Sequence, residues 1–483
     1  MYLYSAFFCS LFFFVLHFSL LGQVLPDERL TNWQSVGNRV SFPENAKIIE
    51  VEKWGFVGDG QRFNDLAWER LMLAYPRQTL VVQFSTGVFC FKKPIRCRSN
   101  LILMGLSPDE TTFRFMGESD GILVEGNELP SSYTLTEHAY KGTQQLIVSN
   151  TQGIKAGDFL RLFFEDAAFI TSKWAEHSVG QVVEVEKVSA HLVFLKNPLR
   201  MDYLTTTNSR FQKIQAVQLV GIKSLKMEHT RPTTTKTSNI HFKYAANCWV
   251  EDIESEKCNY AHLVADFSTH LSVRNSFFHH AHSYGNGGKG YGIALQFTTN
   301  ECLIENNVFQ TLRHSMLVQA GANANVFAYN YSLSPYWTEV KLPKNAAGDV
   351  VLHGNYPYLN LFEGNIVQSI VIDNSHGING PFNTFFRNRA ELYGVFMTGK
   401  SNAQNFIANE IPNKKAWYGL FWLSGKHHFV QGNIIRGKQS NLAATQLPIW
   451  SLYYQKLPDF LKQYENTAKS NPAKDWWQAV SDE

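Results

Sequence analysis

The chain has 483 residues, enough for one large core or for two to three ordinary domains. Charged residues make up only 18% and the formal net charge is +3, so the composition carries no basic footprint for nucleic acid. Aromatic residues reach 14%, which suits stacking within a core or against sugar rings and excludes neither.

The first 22 residues, "MYLYSAFFCSLFFFVLHFSLLG", are an apolar run that fades at Gln23 and the polar "PDERLTN". They resemble a secretory signal peptide, with small Ser19 and Gly22 near the expected cleavage point, although no positive n-region precedes them. A membrane anchor is the rival, because the run approaches 20 residues. Cleavage predicts a secreted or periplasmic protein with no stable membrane insertion after processing. Cys9 lies in this segment, leaving Cys90, Cys97, Cys248, Cys258 and Cys302. An odd number without CxxC spacing points to buried apolar thiols rather than to a zinc site.

Residues 51–76, "VEKWGFVGDGQRFNDLAWERLMLAYP", read as a short strand, a break at Gly58-Asp59-Gly60, and a helix. Leu66, Trp68, Leu71, Leu73 and Ala74 supply its apolar positions, and Asn64 or Asp65 is placed to cap its start. "QTLVVQFSTGVFCF" and "NLILMGLSPDETTFRF" follow as strands separated by Gly-containing turns. The order "WGFVGDGQRFNDLAWERLML" then "VVQFSTGVFCF" resembles the N-terminal cap of the pectate-lyase-like, right-handed parallel β-helix superfamily. The resemblance implies that fold and a secreted, polysaccharide-active protein; it says little about the reaction.

Residues 150–230 alternate polar and apolar positions and are expected to be strands within a wide insertion. From about 217 a repeat takes over: a polar residue, three or four mostly apolar positions, then a polar corner, usually Asn. Corners fall at 252, 275, 306, 330, 365, 388, 409 and 433, as in "NANVFAYN" and "NTFFRN". One coil of a parallel β-helix needs three strands and three turns, roughly the 20–25 residues per unit typical of short repeats. Asparagine suits the corner because it tolerates left-handed backbone and hydrogen-bonds its neighbours. The expectation is an all-β, single-stranded right-handed parallel β-helix with an N-terminal helical cap and long loops on one face. Its divisions are a signal peptide at 1–22, an N-terminal segment and cap at 23–115, the helix with loop insertions at 116–445, and a C-terminal helical cap or tail at 446–483. The tail, from "LPDFLKQYENTAK" on, is expected to cover the end of the solenoid.

Stacking lets distant residues meet, and aligning the corners brings Asp266, Gln296, Gln319 and His353 into one polar column at strand ends. A second column gathers His282, Arg313, His314, Asp373 and His376, on the coils that carry the longest loops. In "HHAH", His280 and His282 are two apart on one face, as metal ligands can be, but no nearby carboxylate or fourth ligand accompanies the triplet. Oxygen donors for a Ca²⁺ ion are available in Asp266, Asp349 and Asp373, with Glu339 beside them.

A groove of stacked polar side chains fits an acidic polysaccharide or oligosaccharide, bound by a monomer or small homo-oligomer. Expected binding residues are Gln296, Gln319, Trp337, Tyr356 and Arg387; Tyr336, Tyr358, Trp417 and Trp422 are further stacking candidates. A lyase needs a base, a grip on the uronate carboxylate and an acid, and His314, His353, Arg313, His282 and His376 supply those types, with His314 and His353 foremost. A glycoside hydrolase would instead need two flanking carboxylates, from Asp266, Asp349, Asp373, Glu339 and Glu363. An epimerase shares the lyase's proton abstraction, and a non-catalytic carbohydrate binder or adhesin would use the aromatic patches alone.

Overall fold

The structure, a computed structural model, describes residues 24–339, 347–399, 401–440, 447, 450–464 and 469–481. The apolar run at 1–22 lies outside them. Strands from successive coils pair in parallel along the whole stack, from Lys47–Glu50 with Leu80–Gln83 to Glu410–Ile411 with Ile434–Ile435. The molecule is a right-handed parallel β-helix.

A representative coil consists of Tyr291–Gln296, Leu303–Glu305 and Val308–Gln310, each pairing with its equivalent one coil later. Alternation sends every second residue inward. Phe327, Phe362, Phe385 and Phe406 stack face to face along the interior at 5.0, 5.2 and 5.1 Å between centroids. All five described cysteines are buried free thiols, in line with the apolar reading.

The Asn corner divides into two jobs. Asn330 N–H and Nδ2 donate to Asn365 Oδ1 at 3.0 and 2.9 Å, Asn365 does the same to Asn388, and the ladder continues through Asn409 to Asn433. These asparagines are almost wholly buried, and left-handed backbone falls on the residue before each: Tyr329, Gly364, Arg387, Ala408 and Gly432. From 330 onward the asparagine therefore serves as a buried amide rung, whereas at 252, 275 and 306 the corner residue itself is left-handed.

At the N-terminus, helix Asp65–Ala74 packs Ala67, Trp68 and Leu71 on the first coil. Leu66 and Leu73 face solvent, and the Asn64 side chain turns away from the helix end to bond Val57 on both its N–H and its carbonyl. The insertion begins earlier and ends earlier than the alternation at 150–230 suggests. Strands between Asn127–Thr134 and Arg210–Gln215 form a six-stranded antiparallel sheet with its own core, and Val220–His229 is already a coil strand. It is bolted to the coil corners by the buried Arg200–Glu301 ion pair at 2.5 Å and by Asn300, which bonds Val182 in both directions. The C-terminal segment runs along the flank of the stack rather than across its end. Glu363 accepts from Leu452 N–H at 2.8 Å and from Ser451, while Trp477 lies 4.9 Å from Phe277.

Candidate active site

One sheet of the stack presents its outer face to a cavity of about 870 Å³. Val371 and Phe396 form its floor, and they continue an outward-pointing apolar row that runs in strict register through Val264, Ala294, Leu317 and Val351. The lining extends from Tyr260 to Phe396. Those are five coil steps of about 4.8 Å, so the site runs roughly 24 Å along the stack.

Beside the floor stands the polar column. Asp266 pairs with Gln296, and Gln319, His353, Asp373 and Thr398 follow Val318, Leu352, Ile372 and Met397 in adjoining strands. Its upper part has a fixed hydrogen-bond direction. His241 sits between Asp120 at 2.9 Å and Asp266 at 3.1 Å. Burial would depress its imidazole, but hydrogen bonds to the two carboxylates outweigh that and hold it up at about 10, so it is a cation at neutral pH. Asp266 then accepts from Gln296 Nε2 at 2.9 Å, and Gln296 Oε1 accepts from Gln319 Nε2 at 2.5 Å and from Tyr260 Oη at 3.1 Å. The Gln296 amide thus turns its Nε2 toward Asp266 and its Oε1 toward Gln319 and Tyr260.

Lower in the column, His353 Nδ1 donates to Asp373 Oδ2 at 2.7 Å, and Asp373 Oδ1 accepts from the Ser375 hydroxyl and N–H at 2.6 and 3.0 Å. Burial pulls the Asp373 carboxyl upward, but His353 and Ser375 more than reverse it and keep it an anion. The His353–Asp373 bond engages Nδ1, so Nε2 is the ring nitrogen available to a ligand. His376 stands edge-on to His353 at 4.9 Å, and burial followed by the neighbouring His353 charge lowers it.

Across the floor, His314 donates Nδ1–H to Gly348 O at 2.9 Å, and its ring lies 5.8 Å from that of His353. Burial, then the charges of Arg313 and His353, push its imidazole far below the usual range, so it is neutral. Arg313 lies over Trp337 at 4.8 Å and Tyr291 at 5.6 Å, held by a bond to Gly285 O at 2.8 Å. Successive residues 313 and 314 both reach the cavity because Arg313 precedes the strand His314–Val318 in the turn.

Several candidates lie elsewhere. His282 is not in the lining; its Nε2 donates at 2.8 Å to His229 O, two coil steps back along the stack. Tyr356 packs on Phe169 of the insertion at 4.5 Å, and Arg387 lies over Trp450 at 4.2 Å, under the C-terminal segment. Asp349 is completely buried, accepting from Ser332 Oγ and the N–H groups of Gln368 and Ser369 at 2.5, 2.9 and 2.8 Å, and burial raises its carboxyl to about 7. The three acids expected to share a Ca²⁺ ion thus have three separate sets of partners and do not converge. Among the described residues Glu254, Glu256 and His279 do come together, but Lys226 bridges both glutamates at 2.6 and 2.7 Å.

Other lining residues were missed in the sequence: Trp174, Lys236, Tyr260, Tyr291 and Ser375. Tyr291 opens the strand that carries Gln296, so the column at the other end of that strand was its available signal. Trp174 comes from the insertion, 5.7 Å from Phe297 and 5.5 Å from His376, and no repeat could register it.

The chain has the fold of a phage tailspike. The tailspike protein gp49 from Pseudomonas phage LKA1 aligns with a TM-score of 0.56 at 16% identity, covering 75% of this chain and 64% of the tailspike. The chain therefore spans less than two thirds of that protein's length. Weaker alignments include a hyperthermoactive exopolygalacturonase from Thermotoga maritima, at TM-score 0.42, 11% identity and 88% and 96% coverage. The A-module of the mannuronan C-5 epimerase AlgE4 from Azotobacter vinelandii gives 0.42, 12% identity and 80% and 81% coverage. No protein-family model and no curated protein matches the sequence.

Proposed function

We propose that the protein cleaves a uronate-containing polysaccharide by β-elimination. The observation that carries this reading is the balance of titratable groups. Asp373 is the single carboxylate among the described lining residues, and it is committed to His353 and Ser375. The stretch 340–346, "VKLPKNA", contains no acid either. Hydrolysis by paired carboxylates lacks its second partner. Proton abstraction has what it needs in two histidines, a tyrosine and two cations.

In this reading the uronate carboxylate lies toward Arg313 and Lys236, which offset the charge that develops on it as the enolate forms. His353 Nε2 takes the C5 proton, and the Asp373 anion stabilises the resulting imidazolium. The C4–O bond breaks as the C4–C5 double bond forms. Tyr291, whose phenol burial raises, keeps its proton at neutral pH and gives it to the leaving oxygen. His314, neutral and aimed by Gly348, accepts a hydrogen bond from a sugar hydroxyl. We place the protein outside the cytoplasm, with residues 1–22 removed; N-terminal sequencing of exported material should then begin near Gly22 or Gln23.

Incubation with a panel of uronate polymers, followed by ultraviolet absorbance of the unsaturated product, tests the reaction. New reducing ends without that absorbance would mean hydrolysis, inversion at C5 without cleavage would mean epimerisation, and binding without products would mean a carbohydrate-binding protein.

A further inference from the structure

The apolar floor does not stop where the cavity stops. Phe396 pairs with Trp422 in the next coil, so the row Val351, Val371, Phe396, Trp422 continues in register past the last lining residue. Burial falls along it: Val351 is fully buried, Val371 and Phe396 are half-buried, and Trp422 is 66% exposed. Alternation explains the direction of the indole, because its neighbour Phe421 points inward and packs on the core. Leaving so large an apolar surface in water, in line with a polar-walled groove, is what a ligand-binding row looks like rather than a packing row.

We propose that Phe396 and Trp422 form a stacking platform for a pyranose ring of the bound chain, a distal subsite at the C-terminal end of the groove. The proposal rests on the polysaccharide reading above. The C–H-rich face of a sugar meets the electron-rich face of an indole much as a partial positive charge does, and the ring hydroxyls stay in water. Trp422 stands three coil steps from the coil of Val351 that carries His353, roughly 14 Å along the stack. A monosaccharide seated at His353 does not reach it, and an extended chain does. The platform therefore makes affinity depend on chain length.

The test uses the full chain, its His353→Ala form and uronate oligosaccharides of increasing length, with binding read by calorimetry and by tryptophan fluorescence. The His353→Ala form should bind progressively tighter as the chain lengthens, and the longer members alone should add a fluorescence change that Trp422→Ala removes, beyond any from Trp174 and Trp337 in the cavity wall. Adding Trp422→Ala should remove that gain, roughly tenfold for the longest chains, and Trp422→Phe should restore most of it. Equal weakening for short and long chains, or none at all, overturns the platform while leaving the polysaccharide reading intact. Failure of the parent chain to bind any member overturns that reading and the platform together.

Discussion

His353 and Asp373 are joined across adjacent coils by a 2.7 Å hydrogen bond from imidazole Nδ1 to carboxylate Oδ2. The bond fixes the tautomer, turns Nε2 toward the cavity, and places a negative charge where an imidazolium would form. Asp373→Asn keeps the shape and removes the charge. Turnover on the uronate substrate should fall by about 10²- to 10⁴-fold, with KM little changed and the melting temperature within a few degrees of the parent. Undiminished turnover would remove His353 from the role of base.

The polar column also links stability to pH. His241 is raised from 6.5 to about 10 by Asp120 and Asp266. A group whose folded value lies above its unfolded value stabilises fully below the unfolded value and loses that contribution as pH rises through the folded one. The stability lost in His241→Asn should therefore be largest below pH 6.5 and shrink toward pH 10, as read from parent and variant melts across that window. A difference independent of pH would mean that His241 acts only by packing.

Trp174 makes a prediction about the insertion. It is 44% exposed, yet it closes the cavity against Phe297 and His376. Trp174→Ala should leave folding nearly unchanged, within the half kcal/mol or so usual for surface substitutions. Substrate affinity should weaken several-fold, because one wall is lost. A variant with the parent's KM would mean that the antiparallel sheet only braces the coils.

How much of this was legible depended on what repeats. The coil period and the column Asp266, Gln296, Gln319, His353 recur at fixed offsets, so alignment on the corners found them. Arg313, His314, Asp373 and His376 were found because they sit on the same coils. Trp174 arrives from the insertion and Lys236 from the turn between the coil strands Val220–His229 and Ser238–Lys243, neither at a repeating offset, and only the fold brings them in. His282 occupies the right offset, but its side chain turns to His229 O instead of entering the cavity. Asp349 failed differently: its place at the end of the long loop 332–349 made it a candidate ligand and acid, and the folded chain buries it to tie down Gln368 and Ser369.

The corner asparagines allow the sharpest separation of two physical roles. Asn365 Oδ1 accepts from Asn330 N–H and Nδ2, while its Nδ2 donates to Phe327 O and Asn388 Oδ1, all between 2.8 and 3.0 Å and all buried. Asn365→Ala removes those four bonds; Asn330 Nδ2 keeps Ile304 O and Asn388 Oδ1 keeps the Asn365 backbone N–H, but the buried Asn330 N–H loses its acceptor, and each orphaned group costs about 1–3 kcal/mol before relaxation. The variant should lose several kcal/mol in denaturant titration, or fail to accumulate folded. Ala408 carries the other role: its φ is 56°, with the side chain next to the rung Asn409. Ala408→Gly removes the steric cost of left-handed backbone, and the greater freedom of glycine in the unfolded chain offsets part of that gain. Its stability should stay within about 1 kcal/mol of the parent or rise slightly. If Asn365→Ala were the mild change and Ala408→Gly the severe one, backbone conformation rather than the buried amide ladder would be what holds the coils in register.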